Sequence, residues 1–249
     1  MIINPYRFGV AFAPTDITGL DLWLDASDNS TVLDATDAEA SDNEAVKTWQ
    51  DKSGNANHAV QATVADQPLW LDSEINGKGA IDFDGTNYML GTSDLTPRQQ
   101  DEKTAFVVCY PDVTGVDFPI NLYDLWQSQP TGTIGAISVE VAYRIAGRTW
   151  ISDQAPLTTS ANIITLTQAS TGTLHAAVSM WLNGAVVTRD SGTDGGFVNG
   201  NKSYSLGGSG GAADYNGRLC EIIVYDTELS TADRESVETY LANKWAITL

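Results

Sequence analysis

The chain has 249 residues, with 13 Lys and Arg against 32 Asp and Glu, a formal charge of −19 at pH 7. Such a field repels phosphate backbones and anionic headgroups, which argues against nucleic acid and membrane surfaces as partners and leaves neutral glycans, cations and basic protein surfaces open. A hydrophobic fraction of 42%, with 7 Trp, 9 Tyr and 6 Phe, suffices for a sizeable core, and no window approaches the roughly 18 apolar residues of a membrane span.

The opening MIINPYRFGVAFAPTD lacks the longer apolar run and small-residue cleavage site of a secretory signal. It is expected to be a docking arm over residues 1–16, with Tyr6, Phe8 and Phe12 as the apolar anchors that meet a neighbouring subunit, ahead of one domain over residues 17–249. GLDLWLDA then alternates Leu20, Leu22 and Leu24 against Asp21, Trp23 and Asp25, the period of a half-buried strand. From Asp21 to Glu44 there are eight acids and no base, and the stretch after the strand reads as an acidic surface excursion. In WQDKSGNANHAVQ, Ser53-Gly54-Asn55 has turn chemistry, with Trp49 entering the core and His58 at a strand edge.

Runs rich in β-branched and aromatic residues follow: GAIDFDG, TAFVVCYPDV, GAISVEVAYRI, RTWIS, NIITLTQA, TLHAAVSMWLNGAVVTRD, SYSLGG and GRLCEIIVYD. Gly, Asn, Asp and Pro punctuate them, which suits many short strands and not βαβ units. Asn183-Gly184 predicts a two-residue hairpin, because both residues tolerate positive φ. The spacing of Val237, Tyr240, Leu241 and Trp245 predicts one amphipathic helix at the C-terminus, capped by Ser230 with Asp233 at the third helical position. Cys109 and Cys220 lie in apolar strand-like runs with no partners at metal-ligand spacing, and read as buried free thiols.

The order LDLWLDASD, TWQDKSGNANHAVQ, GKGAIDFDGTNYM, TAFVVCY, MWLNGAVV and GRLCEIIVYDTELSTADRESVETYLANKWAI resembles the concanavalin A-like, laminin G-type jelly rolls, over about Gly19 to Ile247. It looks most like the versions carried by virion proteins of tailed bacteriophages, the opening MIINPYRFG included. The resemblance implies an all-β fold: a jelly-roll sandwich of two antiparallel sheets, with loops or a concave face that bind sugars, calcium or protein. One fold of this kind hosts many functions, so function has to be argued from the site.

Four kinds of site come into question. Asp51, Ser53, Asn55 and Asn57 alternate as in oxygen-ligand calcium loops but bring one carboxylate; if LDASDN ends nearby, Asp25, Asp28 and Asn29 would join Asp51 and Asn55 in an oxygen cage. Calcium is thus the one cofactor raised, against the competing readings of a structural turn and a solvated acidic face. Glycoside hydrolysis needs paired carboxylates, about 5 to 5.5 Å apart in a retaining enzyme. Glu39, Asp42 and Glu44 lie in the irregular excursion, and Glu140 and Glu221 are lone acids in strands, so the pattern is absent. Only His58 and His175 are available to a triad, and GGSGGA precedes a strand and not a helix. No catalytic residue is expected. Sugar binding asks for aromatics beside polar side chains, and the loop candidates are Asn87, Tyr88, Tyr123, Trp126, Tyr215 and Asn216.

The resemblance implies a non-enzymatic structural protein of a phage particle: a head decoration, a spike or a small fibre component, assembled in the host cytoplasm. Its partners would be capsid or tail proteins and copies of itself, a trimer in the spike case. The alternative is a carbohydrate-binding adhesin or receptor-binding protein that recognises host surface glycans.

Overall fold

In the computed structural model the described residues are 12–95, 101–112, 120–121, 133–137, 140–145, 148–156, 158–170, 172–189, 192, 194, 203–208 and 215–249. They form two antiparallel sheets and one long helix, Thr231–Trp245. Across the first sheet run Ala185–Val187, Val178–Leu182, Asn162–Gln168, Lys103–Pro111, Asn216–Tyr225, Lys78–Asp84, Leu69–Ile75 and Glu44–Ala45. Leu20–Asp25 joins it by pairing with the second half of Asn216–Tyr225. Across the second run Arg148–Pro156, Glu140–Ile145, Thr133–Ile137, Ile120–Asn121, Ser203–Leu206, Met89–Asp94, Ala59–Val60, Thr48–Trp49 and Val32–Leu33. This is the two-sheet sandwich expected from the pattern of short strands. No helix among the described residues is long and apolar enough to cross a membrane.

The first sheet is buried on both faces. Leu22, Leu24, Phe83, Val107, Leu219, Ile222 and Val224 point into the space between the sheets, where Trp49, Tyr204 and Leu206 meet them. Phe106, Val108, Ile163, Ile223 and Tyr225 point the other way, under Val237, Leu241 and Trp245 of the helix. Double burial explains why Leu20–Asp25 departs from the half-exposed strand that its alternation predicts: Asp21 and Asp25 are buried as well as Leu22 and Leu24. The helix follows its sequence signals. Ser230 Oγ accepts from the Asp233 amide at 3.2 Å, which satisfies one of the helix's orphan donors, and Ala246 closes it in the left-handed region with φ of 55°.

The Asn183-Gly184 turn has φ of 49° and 75°, the left-handed pair that its strands require. Three segments differ from the periodicity. The acidic excursion contributes a strand to each sheet, Val32–Leu33 and Glu44–Ala45, both too short for a period to register. TLHAAVSMWL opens with one helical turn, Leu174–Ala177, before its strand begins. The polar strand Met89–Asp94 was also hidden, because Gly91 sits under the Tyr204 ring; a Cβ there would meet ring carbon at 2.5 Å.

Candidate functional site

The densest chemistry lies where the first strand, the last strand and the end of the helix converge. Asp25 and Glu221 are direct cross-strand partners. The last strand carries an irregularity between Leu219 and Glu221, and the extra residue there reverses the alternation. Cys220 and Glu221 therefore follow one another on the helix side, while Leu219 and Ile222 face between the sheets. Two carboxylates on one buried face repel each other, and Lys244 answers them: its Nζ lies 2.7 Å from Asp25 Oδ1 and 2.8 Å from Glu221 Oε2.

The rest of the cluster completes the hydrogen bonding. Glu221 Oε1 accepts from Trp23 Nε1 at 2.8 Å and from the Tyr240 hydroxyl at 2.9 Å, and Oε2 accepts from Trp245 Nε1 at 2.7 Å. Lys52 reaches Asp25 Oδ2 at 2.9 Å and Asp28 Oδ2 at 2.7 Å, with its ammonium 4.5 Å from the Trp23 ring centroid. Burial acts to raise the Asp25 carboxyl, but Lys244 foremost, then Ser27 and Lys52, outweigh it and hold it below the ordinary range. Burial, and then the charge of Asp25, push Glu221 above it against the pull of Lys244 and Trp245. For Asp28 the hydrogen bond from Lys52 comes first and lowers the carboxyl.

The turn after Trp49 is a clasp on the first strand. Asp51 Oδ1 accepts from the amides of Trp23 at 2.9 Å and Ser53 at 2.8 Å, and Oδ2 from Ser53 Oγ at 2.7 Å and the Asn57 amide at 3.0 Å. Asn55 and Asn57 donate their side-chain amides to the carbonyls of Leu20 and Asp21. His58 Nδ1 accepts from the Asp51 amide at 3.0 Å. Tyr204, on a strand of the same second sheet that the turn belongs to, donates its hydroxyl to the Asn57 carbonyl at 2.7 Å.

The five residues of the proposed oxygen cage are thus gathered in one region but divided between two tasks. Asp25 and Asp28 face a lysine ammonium where a cation would sit, Asp51 and Asn55 hold the clasp, and Asn29 Oδ1 is buried without a hydrogen bond. Calcium does not fit this set, since the positive charge is already in place and the carboxylate oxygens are taken. Among the described residues no group of three or more His, Cys, Asp or Glu side chains could hold a metal ion.

The aromatic candidates divide similarly. Asn87 is buried, accepting from the Asp84 amide and donating to the Gln67 carbonyl. Tyr215 is buried with its ring edge-on to Phe83 and its hydroxyl on the Arg218 carbonyl. Asn216 opens the last strand opposite Asp84, and Tyr88 is half-buried beside the same turn. The structure brings these four to one end of the sandwich and uses Asn87 and Tyr215 for packing. Tyr123 and Trp126 lie outside the described residues, as do Tyr6 and Phe8.

Phe12 packs edge-on against Tyr240, ring centroids 5.9 Å apart, and Tyr225 donates to the Pro14 carbonyl at 2.9 Å. The end of the arm is therefore rooted on this chain's own helix. Beside it lies an open groove of about 760 Å³, walled by Phe12 and Tyr240 and rimmed by Glu235, Ser236, Thr239, Asn243 and Lys244. Sequence reasoning missed the groove and the lysine-centred cluster. A lone acid in the apolar run LCEIIVY, with a lysine in the last turn of the C-terminal helix, was the available signal.

No protein-family model matches the chain, and no curated protein matches it in sequence. Solved structures do match in fold. Domain 4 of AbnA, a GH43 extracellular arabinanase of Geobacillus stearothermophilus solved with arabinotriose, superposes with a TM-score of 0.54 at 14% identity, over 86% of this chain and 95% of that one. The binding domain of Paraclostridial Mosquitocidal Protein 1 gives 0.56 at 14% identity, over 93% of this chain and 53% of that one. The sialidase of Trypanosoma rangeli, in complex with the inhibitor DANA, gives 0.53 at 11% identity, over 95% of this chain and 34% of that one. The chain thus spans about half of the toxin-domain chain and a third of the sialidase. At these identities the likeness is one of architecture alone, a two-sheet antiparallel β-sandwich.

Proposed function

We propose that this protein is a non-catalytic binding and display domain on the particle of a tailed phage, serving as a head decoration, spike or small fibre component. The observation that carries the non-catalytic part is the state of Asp25 and Glu221. Their carboxylates are bound by ammonium, indole and phenol donors and closed in by the helix, so neither is free to give or take a proton at a substrate. The virion part rests on the order of sequence segments, above all the opening MIINPYRFG. The arm is the docking element of this reading, and Phe12 together with the groove beside it is where a neighbouring subunit would meet the domain.

The test is mass spectrometry of purified particles, followed by incorporation of a chain lacking residues 1–11. Removing those residues spares Phe12 and the Pro14 contact, so the domain should fold and fail to incorporate. Incorporation at normal levels would refute the docking role, and absence of the intact chain from particles would refute the virion role.

Carbohydrate binding is the second reading, supported by the near whole-length superposition on a domain solved with arabinotriose. A glycan array that includes arabino-oligosaccharides tests it; no signal above background from folded protein would remove it. Weak sites repeated on one particle would add by avidity, so the two readings are compatible.

A further inference from the structure

The cluster that joins the helix to the first sheet is arranged for more than an ion contact. Lys244 Nζ lies 2.7 Å from Asp25 Oδ1 and 2.8 Å from Glu221 Oε2, and the two acidic side chains are only 5% and 0% exposed. A C–O bond of about 1.2 Å sets Asp25 Cγ no more than about 4 Å from that nitrogen, close to the roughly 3–3.5 Å of reacting atoms in a near-attack arrangement. A lysine nitrogen, a carboxyl carbon and a second carboxylate touching the nitrogen are the nucleophile, the electrophile and the proton carrier of an amide condensation.

The surroundings supply what condensation needs. Trp23, Tyr240 and Trp245 fix the Glu221 carboxylate with three donors, and the rings of Tyr240 and Trp245 flank the ammonium with centroids 5.5 and 5.3 Å from Nζ. Burial away from water makes an ion pair costly, whereas an amide in its place carries no charge and is shielded from hydrolysis. The same burial raises the affinity of Glu221 for a proton, as a base that faces an ammonium requires. The other Asp25 oxygen, Oδ2, lies 2.9 Å from the Lys52 ammonium, which puts a cation where negative charge develops when a nucleophile adds to the carboxyl carbon.

We infer that Lys244 and Asp25 close an intramolecular isopeptide bond, with Glu221 as the proton carrier and Lys52 facing the developing oxyanion. One ammonium proton passes by way of Glu221 Oε2 to Asp25 Oδ1, which leaves a neutral amine beside a neutral carboxyl. The nitrogen lone pair then bonds to Cγ as the carbonyl π pair moves onto Oδ2. A second nitrogen proton follows the same route to Oδ1, the Cγ–Oδ1 bond breaks with its electron pair on oxygen, and Oδ1 leaves as water while the Oδ2 pair restores the carbonyl. The third proton stays as the amide N–H, Glu221 is returned unchanged, and nothing is oxidised or reduced. The two residues are 219 positions apart, so the bond ties the first strand to the C-terminal helix. This reaction runs once, on the chain itself, and stands apart from the virion and carbohydrate readings. The ion contact is the state in which the chain folds, and its charge and pH behaviour belong to the chain before closure.

The test is the intact mass of the denatured full chain, followed from freshly purified protein through prolonged storage. The mass should move from that of the sequence to a value lower by one water. The tryptic map of the lighter species should show peptide 8–47 joined to peptide 235–249, with no cleavage after Lys244. Lys244→Met should hold the sequence mass, and so should Glu221→Gln, whose melting curve verifies that it has folded. Lys52→Met, at a partly exposed side chain, should slow closure by about tenfold or more, the scale of a lost oxyanion partner. The unaltered chain decides the matter without any variant: a sequence mass retained throughout overturns the bond, as does a water loss that maps to other residues. Closure at an undiminished rate in folded Glu221→Gln would overturn the part assigned to Glu221.

Discussion

Glu221 stands directly across from Asp25 on two antiparallel strands, so the protein buries a pair of like charges and spans them with the ammonium of Lys244. The helix is thereby pinned to the sheet by a charged contact as well as by Val237, Leu241 and Trp245. Lys244→Met keeps the stem's apolar contacts and removes the charge. Because it leaves Glu221 with no cationic partner and Asp25 with Lys52 alone, it should cost about 3–5 kcal/mol in denaturant unfolding. The same change in a Glu221→Gln background should cost clearly less, since one carboxylate is already gone. Equal costs in both backgrounds would mean that Lys244 acts through packing alone.

The same pair gives a pH signature with two opposing parts. The folded pKa of Asp25 lies below its ordinary value of 3.8, so its contribution is present above that value and is lost as pH falls through the folded pKa. The folded pKa of Glu221 lies above its ordinary value of 4.5, so its contribution is complete below 4.5 and is lost as pH rises through the folded pKa. Melting temperatures measured from pH 2 to 8 should therefore show a shallower acid limb for Asp25→Asn and a flatter rise-side decline for Glu221→Gln. Curves parallel to the unaltered protein would mean that neither group titrates differently on folding.

Periodicity made the architecture legible wherever a strand was long and its face continuous, as in Lys103–Pro111 and Asn216–Tyr225, and wherever a cap or turn had its own chemistry, as at Ser230 and Asn183-Gly184. It failed at Val32–Leu33 and Glu44–Ala45, where two residues cannot show a period, and at Met89–Asp94, where a glycine serves a tyrosine from the neighbouring strand. The site was harder for a different reason. Asp25, Asp28 and Asp51 do converge, but their partners Lys52, Lys244 and the Trp23 amide come from a turn, a helix and a strand whose meeting depends on tertiary packing. The strand irregularity that turns Glu221 toward Lys244 leaves no mark in the residue pattern.

Because ammonium groups and backbone amides take the oxygens around Asp25, Asp28 and Asp51, calcium should not stabilise the protein. Melting curves in millimolar calcium and in chelator are expected to coincide, since a ligand that does not bind the native state produces no shift. Asp51→Ala, by contrast, removes the acceptor for three backbone amides and a hydroxyl. It should lower stability by about 3 kcal/mol, the scale of leaving part-buried donors unpaired. A calcium-dependent rise in melting temperature that Asp51→Ala abolishes would restore the metal reading.

The two thiols provide a test of the sheet itself. Cys109 faces the space between the sheets and Cys220 faces the helix side, although they lie on neighbouring strands. A disulfide demands Cβ atoms that approach each other, and side chains on opposite faces of one sheet do not. Burial pushes the Cys109 thiol up to about 12 and raises Cys220 well above its ordinary value, so neither carries thiolate at neutral pH. Ellman's reagent should therefore label neither cysteine in the native protein and both once denaturant unfolds it, with labelling that tracks the unfolding curve. Rapid labelling of Cys220 alone would show that the helix opens on its own while the sandwich stays closed. A Cys109–Cys220 bridge in non-reducing peptide mapping would contradict the strand irregularity that sets their faces, and with it the placement of Glu221.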